Sequence, residues 1–486
     1  MKSANWFYIV TGFSFSIVVS IITAVMPPVN SGLEYLFLLP LSFAIAFIFY
    51  NDLFLSWNEN YGTIIIFVAA FLRYIVSPLL MSLTNHSVAY INATMDSYFY
   101  AIFIMIYELF AVLIILRFVK KRFQNNKNGI VIHSDRKPHN SFNITWIGAF
   151  LCTFVVIILI SRGNLSNVFS HLSILNTYSE DLSDLYTYDL TFVYLIKSFL
   201  FIAIISKMVS LSKKYPSFKE VFFVISFIAV LLNSVIYDHK SRSVMVEFMV
   251  SSIVVLISGF PQKRKLLLTF FSVFGFLLVS TVFISGTLLT TWSGILEPGY
   301  MFERISEMGE LYGNGVSTMA HTIDTYPIAN SILGFDSFLS HFVRSIGFIT
   351  FPGFRYFYYA LFNIPTASSI FMQTLFGKGF ILPPFGVALY YGDLFLAVPI
   401  SFINCFLCIW TLYWIENIRI KLHNDIGTIY IITFAEIICG MSIFVNNIFI
   451  MIQGLTQIPL YFAILLWFNN LGNRILLFRN KSYKDN

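Results

Sequence analysis

The chain has 486 residues, 57% of them hydrophobic and only 11% charged, with a mean hydropathy of +0.77. A soluble domain carries about 25% charged residues, so composition excludes an ordinary soluble enzyme and indicates a membrane protein. The net charge of +6 is no nucleic-acid signal here, because in such a chain the placement of Lys and Arg matters more than their sum.

A helix needs about 20 apolar residues to cross the hydrocarbon core. In chain order the apolar runs predict twelve spans, at 6–26, 33–50, 61–83, 98–118, 144–161, 190–206, 220–236, 244–260, 266–288, 387–414, 427–445 and 450–468. The first is too long for a signal-peptide core and meets Pro27-Pro28 instead of a small-residue cleavage site, so it reads as a retained span. With both termini cytoplasmic, Lys2 and the segments 117–137, 207–219, 261–265, 416–425 and 474–484 place 21 of the 30 Lys and Arg inside. This is the orientation that the positive-inside bias favours. The chain is thus expected to be an all-α polytopic integral membrane protein in three blocks. Residues 1–288 hold nine spans and an outer loop at 162–189, residues 289–386 form a large extracytoplasmic loop, and residues 387–486 hold three spans and a cytoplasmic tail.

Charges within the spans are costly, about 2.5–3.5 kcal/mol on insertion scales unless they face a cavity or a partner, and so mark candidate sites. Arg73 lies mid-way through the third span in "FLRYIVSPLLM" and Glu108 in the fourth within "MIYELFAV". A hairpin of these spans matches their depths, which allows either a structural ion pair or an arginine with donors to spare for a ligand. Lys197 and Glu247 are further partly immersed charges.

The turn in "VIYDHKSRSVMVEF" puts Asp238, His239, Lys240, Ser241 and Arg242 on the outer face, where basic residues are usually sparse. Arg304, Arg344, Arg355 and Lys378 in the large loop and Arg162 in the medium loop share that face. Together these cations would concentrate an anionic ligand, and arginine grips phosphate through paired hydrogen bonds.

A structureless loop of about one hundred residues is uncommon without function. In "SFLSHFVRSIGFITF" Phe338, Phe342, Ile346 and Ile349 recur at helical spacing, which predicts an amphipathic helix on the membrane surface over a cavity. His171, His239, His321 and His341 lie on this side. In "AHTIDTY" His321 precedes Asp324 by three residues, and one helical turn would align imidazole and carboxylate as an oriented general base requires. No histidine pair has familiar metal-site spacing; Cys405 and Cys408 have CxxC spacing but no second pair or nearby histidine completes a site, so with Cys152 and Cys439 they read as packing residues in apolar runs. No Walker or dinucleotide glycine loop is present in the sequence, so no cofactor is implied.

Twelve spans with a large outer loop before the tenth, "RY" with a later proline in the third span, a glutamate in the fourth, the "KSRS" turn and "ILPPFGVALYYGDLFLAVPI" resemble the Wzy-type oligosaccharide repeat-unit (O-antigen or capsular polysaccharide) polymerases. Arg304 and Gly315, with ten residues between them, match a spacing found in outer loops of some members, whereas Val387 stands where the family often has an acidic residue and Asp393 where it is usually apolar. The resemblance implies a GT-C-like fold in the bacterial plasma membrane and a glycosyl transfer that needs neither metal nor nucleotide. The implied substrate is an oligosaccharide on undecaprenyl pyrophosphate within membrane lipid, with a chain-length regulator and a flippase as partners and no nucleic acid.

On this reading Arg73, Lys240 and Arg242, with Arg344 and Arg304 from the loop, stabilise the departing pyrophosphate. His321 with Asp324 is the first choice of base and His239 the second. An O-antigen ligase would share donor and site but use another acceptor. A lipid-linked oligosaccharide flippase is the reading from a different class, and it is usually built from repeated halves, which this sequence lacks.

Overall fold

The computed structural model describes residues 2–29, 32–56, 60–85, 93–127, 153, 186–235, 242–270, 306, 310, 314–346, 364–374, 382–421 and 425–469. All regular elements among them are helical. In chain order they are α1 (Lys2–Val25), α2 (Leu38–Phe49), α3 (Asn51–Leu55), α4 (Tyr61–Phe71), a π-helical turn (Leu72–Val76), α5 (Ser77–Thr84), α6 (Met95–Lys127), α7 (Tyr186–Lys214), α8 (Lys219–Val235) and α9 (Arg242–Gly259). There follow α10 (Val316–Ile332), α11 (Phe335–Ser345), α12 (Ala367–Thr374), α13 (Pro384–Tyr391), α14 (Leu394–Lys421), α15 (Ile426–Phe444) and α16 (Ile448–Gln457).

Seven described stretches are long and apolar enough to cross a membrane: Tyr61–Thr84, Met95–Gln124, Tyr194–Lys214, Pro216–Ser234, Leu394–Arg419, Ile426–Phe444 and Ile448–Asn469. The protein is therefore an α-helical multi-pass membrane protein. An eighth candidate, Val246–Gly259 with Pro261–Phe270, is bent by 114°. Pro261 has no N–H to continue the helix, so the chain turns where the sequence predicts the boundary between the 244–260 and 266–288 spans. The 144–161 run and residues 271–288 fall outside the described residues, apart from Thr153.

Two predicted spans differ in the structure. The 33–50 run yields only α2, whose 12 residues reach about 18 Å, short of the roughly 30 Å hydrocarbon core. The helix ends at Tyr50, with φ −122° and ψ 32°, before the polar Asn51 and Asp52. The 387–414 run is divided at Gly392, which is extended at φ −130° and ψ −160°. Upstream, α13 is buried from Pro384 to Tyr390. Downstream, the Asp393 side chain accepts from Leu396 N at 2.7 Å and starts α14 afresh.

Side-chain caps set other helix starts. Asn60 accepts from Thr63 N at 2.7 Å, Asp425 from Thr428 N at 2.8 Å, and Asn447 from Phe449 N at 3.1 Å. Among the described spans α15 is the most buried, 78% over its apolar window against 28% for that of Leu394–Arg419. In lipid, helix association depends on close packing more than on expulsion of water, so small residues at crossings count. Gly440 of α15 meets Gly62 of α4 so closely that a Cβ on Gly440 would lie 2.5 Å from the Gly62 carbonyl oxygen.

α10 joins the main core through Val316, Met319 and Ala320, while Ala329 and Leu333 pack in a second core with Phe371, Val387, Tyr390 and Phe449. α11 is amphipathic with reversed polarity. It buries Ser337, Ser340, His341 and Ser345 and exposes Phe335, Phe338, Leu339 and Phe342. Phe338 and Phe342 thus share the outward face that their spacing predicts. Ile349 lies outside the described residues.

Candidate functional site

Arg73 stands in the π-helical turn that links α4 to α5. Pro78 lacks the N–H that an α-helix would direct at the Tyr74 carbonyl, and a one-turn widening accommodates that loss. Arg73 is 0% exposed, and its Nη2 donates to Glu108 Oε2 at 2.7 Å. The guanidinium carbon also lies 5.6 Å from the Phe444 ring centroid, while the Tyr74 hydroxyl donates to Met105 O and fixes the turn against α6. Two further donors of Arg73, Nε and Nη1, have no hydrogen-bond partner among the described residues. A fully buried guanidinium with one satisfied nitrogen is able to offer the others to an anion.

One turn past Arg73, Ser77 donates to Glu310 Oε1, and Ser317 N donates to Glu310 Oε2 at 2.8 Å. Gly315 makes room for this carboxylate, since a Cβ there would lie 2.2 Å from Oε1. Asn314 adopts φ +49°, which asparagine tolerates better than most residues. Its amide donates to Val445 O at 2.5 Å and to Phe444 O at 3.3 Å. Glu310 is therefore tied to the α4–α5 span and Asn314 to the end of α15, whose Phe444 lies against Arg73.

His321 and Asp324 do not form the aligned dyad that their spacing predicts. Asp324 accepts from Thr94 N at 2.7 Å, Thr94 Oγ1 at 2.9 Å and Ser97 Oγ at 2.5 Å. It thereby anchors Thr94 and Ser97 at the start of α6, where the helix dipole favours a carboxylate. His321 Nε2 instead pairs with Thr374 Oγ1 at 3.1 Å. Burial lowers the His321 pKa while the nearby Asp324 carboxylate opposes the shift, so the imidazole is neutral near pH 7, as a base must be.

Arg344, on α11, acts electrostatically on His341 and Tyr391. His341 pairs through Nδ1 with Tyr391 OH at 2.9 Å and through Nε2 with Ser368 Oγ at 3.3 Å, and stacks on Phe449 at 3.9 Å. Burial, reinforced by Arg344, pushes its pKa down to about 3. Arg242 is the first residue of α9, and His239, Lys240, Arg304, Arg355 and Lys378 fall outside the described residues.

Among the other immersed charges, Lys197, Arg419 and Glu436 have structural partners. Lys197 Nζ donates to Asn233 O at 2.9 Å and sits 3.6 Å from the Phe248 ring centroid. Arg419 donates twice to Glu416, at 2.6 and 2.7 Å, and the fully buried Glu436 accepts from Tyr61 N at 3.1 Å. Among the described residues no group of three or more His, Cys, Asp or Glu is placed to hold a metal ion. Cys405, Cys408 and Cys439 are free and buried.

Sequence reasoning missed Ser77, Glu310 and Asn314. Ser77 was accessible in principle, as it follows Arg73 by four residues on one helical face. Glu310 carries no local signal beyond the Asn314-Gly315 turn that follows it. Comparisons with protein-family models, with curated proteins and with solved structures find no match to this chain.

Proposed function

We propose that the protein polymerises lipid-linked oligosaccharide repeat units at the outer face of the bacterial plasma membrane. It would do so as a twelve-span, GT-C-like glycosyltransferase with both termini cytoplasmic. The observation that carries this reading is the buried Arg73 guanidinium, with two unpartnered donors, in the same turn region whose Ser77 holds Glu310. Such a preorganised cation in a low-dielectric site stabilises negative charge as it develops.

In the reaction the bond from the donor sugar C1 to its pyrophosphate oxygen breaks, and the pyrophosphate leaves with the electron pair. A bond forms between C1 and a hydroxyl oxygen of the incoming lipid-linked unit, whose proton passes to the base. Arg73 is assigned to the pyrophosphate, joined by Lys240, Arg242, Arg304 and Arg344. His321 is the first choice of base and His239 the second. The low pKa of His321 supports its assignment, whereas Asp324 is assigned to holding α6 in place through Thr94 and Ser97.

The test is to incubate the purified protein with an undecaprenyl pyrophosphate-linked repeat unit, without nucleotide or added metal, and resolve the products on a gel. A ladder with release of undecaprenyl pyrophosphate is expected, and it should vanish in Arg73→Ala and Arg242→Ala. A folded sample that makes no ladder from the cognate unit would move the assignment to a ligase or a transporter.

A further inference from the structure

Away from Arg73, about 12 Å along α15 from Phe444, two buried carboxyl groups share one cation. Glu436 is 0% exposed, Glu416 on α14 is buried beside it, and the two carboxyls lie within hydrogen-bonding reach of each other. Arg419 Nε and Nη2 donate to Glu416 Oε2 and Oε1 at 2.6 and 2.7 Å, which leaves Nε 3.9 Å from Glu436 Oε1, too far for a hydrogen bond. Glu436 Oε2 accepts from the N–H of Tyr61, the first residue of α4, at 3.1 Å, while Oε1 has no donor among the described residues.

The charges here do not balance. Two carboxylates would face the single positive charge of Arg419 and about half a charge from the start of α4. The Tyr61 phenol and the Cys439 thiol also face the pair, and both are uncharged near pH 7 at their ordinary pKa values. Arg264 is exposed and acts on the Tyr61 phenol. Two ionised carboxyls this close repel, whereas one proton between them turns the repulsion into a hydrogen bond and supplies the partner that Oε1 lacks. A metal ion suits the place less well, because Oε1 is closed off from solvent and already faces the Arg419 guanidinium.

We infer that Glu416 and Glu436 form a proton-binding site, which holds one proton between the two carboxyls at neutral pH. Arg419, 34% exposed, reaches water from the pair and marks the side from which the proton exchanges. The proton ties α14 to α15 where Glu436 also holds the first N–H of α4, next to the Gly62–Gly440 contact. Its loss puts two like charges at that junction, so alkaline pH loosens the three helices there. The site is separate from the proposed glycosyl transfer and does not depend on it.

Infrared spectra of the full chain in nanodiscs read the proton directly, through the C=O stretch of a protonated carboxyl and its shift in heavy water. The wild type minus Glu436→Gln at pH 7 should show that band, and the band should vanish as the wild type is taken to alkaline pH. Glu416→Gln should lose the same band, because Arg419 and the Tyr61 N–H then hold the one remaining carboxylate ionised. Melting temperatures give an independent reading. An unfolded glutamate releases its proton near pH 4.3, so above that pH the folded protein holds one proton more than the unfolded chain, and its stability falls as pH rises until the pair ionises. The wild type should therefore lose melting temperature between about pH 6 and 9. Glu436→Gln, whose amide stands in for the proton, should be at least as stable at pH 7 and lose less over that range. A carboxyl band of equal size in the wild type and both variants, or parallel melting curves for the wild type and Glu436→Gln, overturns the inference. If Glu436→Gln does not fold, Glu416→Gln carries both comparisons.

Discussion

Arg73 Nη2 and Glu108 Oε2 lie 2.7 Å apart with side chains 0% and 3% exposed, joining the α4–α5 span to α6. Removing one partner of such a pair strands a buried charge and costs about 3–5 kcal/mol, whereas replacing both by apolar groups is often neutral. Glu108→Leu is therefore expected to lower the melting temperature sharply. Arg73→Met with Glu108→Leu should recover most of that loss without restoring polymer. Thermal unfolding in detergent, read beside the gel assay, checks both halves. A double variant as unstable as the single one would mean that the pair stabilises the fold in its own right.

Gly315 and Glu310 make a second prediction. A Cβ at Gly315 would occupy the position of the Glu310 carboxylate, so Gly315→Ala must push Glu310 off Ser77 and the Ser317 amide. Overpacking of this kind costs about 1–3 kcal/mol. The variant should lose stability and polymer together. Glu310→Ala in the Gly315→Ala background should regain stability and not activity, because the collision is then absent.

The α4–α15 crossing is tested by comparing Gly440 with Gly454 of α16. A Cβ on Gly440 would meet Gly62 backbone, whereas one on Gly454 would meet only the Ile438 side chain, at 3.1 Å. Backbone cannot rotate away as a side chain can. Gly440→Ala should therefore destabilise the protein by clearly more than Gly454→Ala, with the difference visible as separate melting transitions.

The site was legible in the sequence where burial itself was improbable. Arg73 and Glu108 stood out because charges inside apolar runs are expensive, and matched depth in a hairpin paired them. Glu310 did not stand out, because a carboxylate in a loop is by default solvated and its partner Ser77 is 233 positions away. Asp324 misled for a related reason: local spacing proposed His321 as its partner, but the Thr94 N–H and hydroxyl, 230 positions away at the start of α6, and the Ser97 hydroxyl take its oxygens. Hydropathy likewise found most spans and could not see the Gly392 break, since an extended backbone within an apolar run leaves the average unchanged.

His341 gives the acid-side stability a particular form. A histidine whose folded-state pKa lies below its unfolded value, about 6.5, binds fewer protons when folded, so stability rises with pH between the two values. Here burial and Arg344 put the folded value at about 3. The contribution of His341 is complete above its unfolded pKa and is lost as pH falls toward 3, at up to about 1.4 kcal/mol per pH unit. His341→Asn cannot take up that proton. It should be less stable than the wild type at pH 7.5, having lost the Phe449 stack and the Ser368 contact, yet its melting temperature should fall less steeply between pH 6.5 and 4. Parallel curves for the two proteins over that range would show that His341 does not titrate there and that other groups set the acid sensitivity.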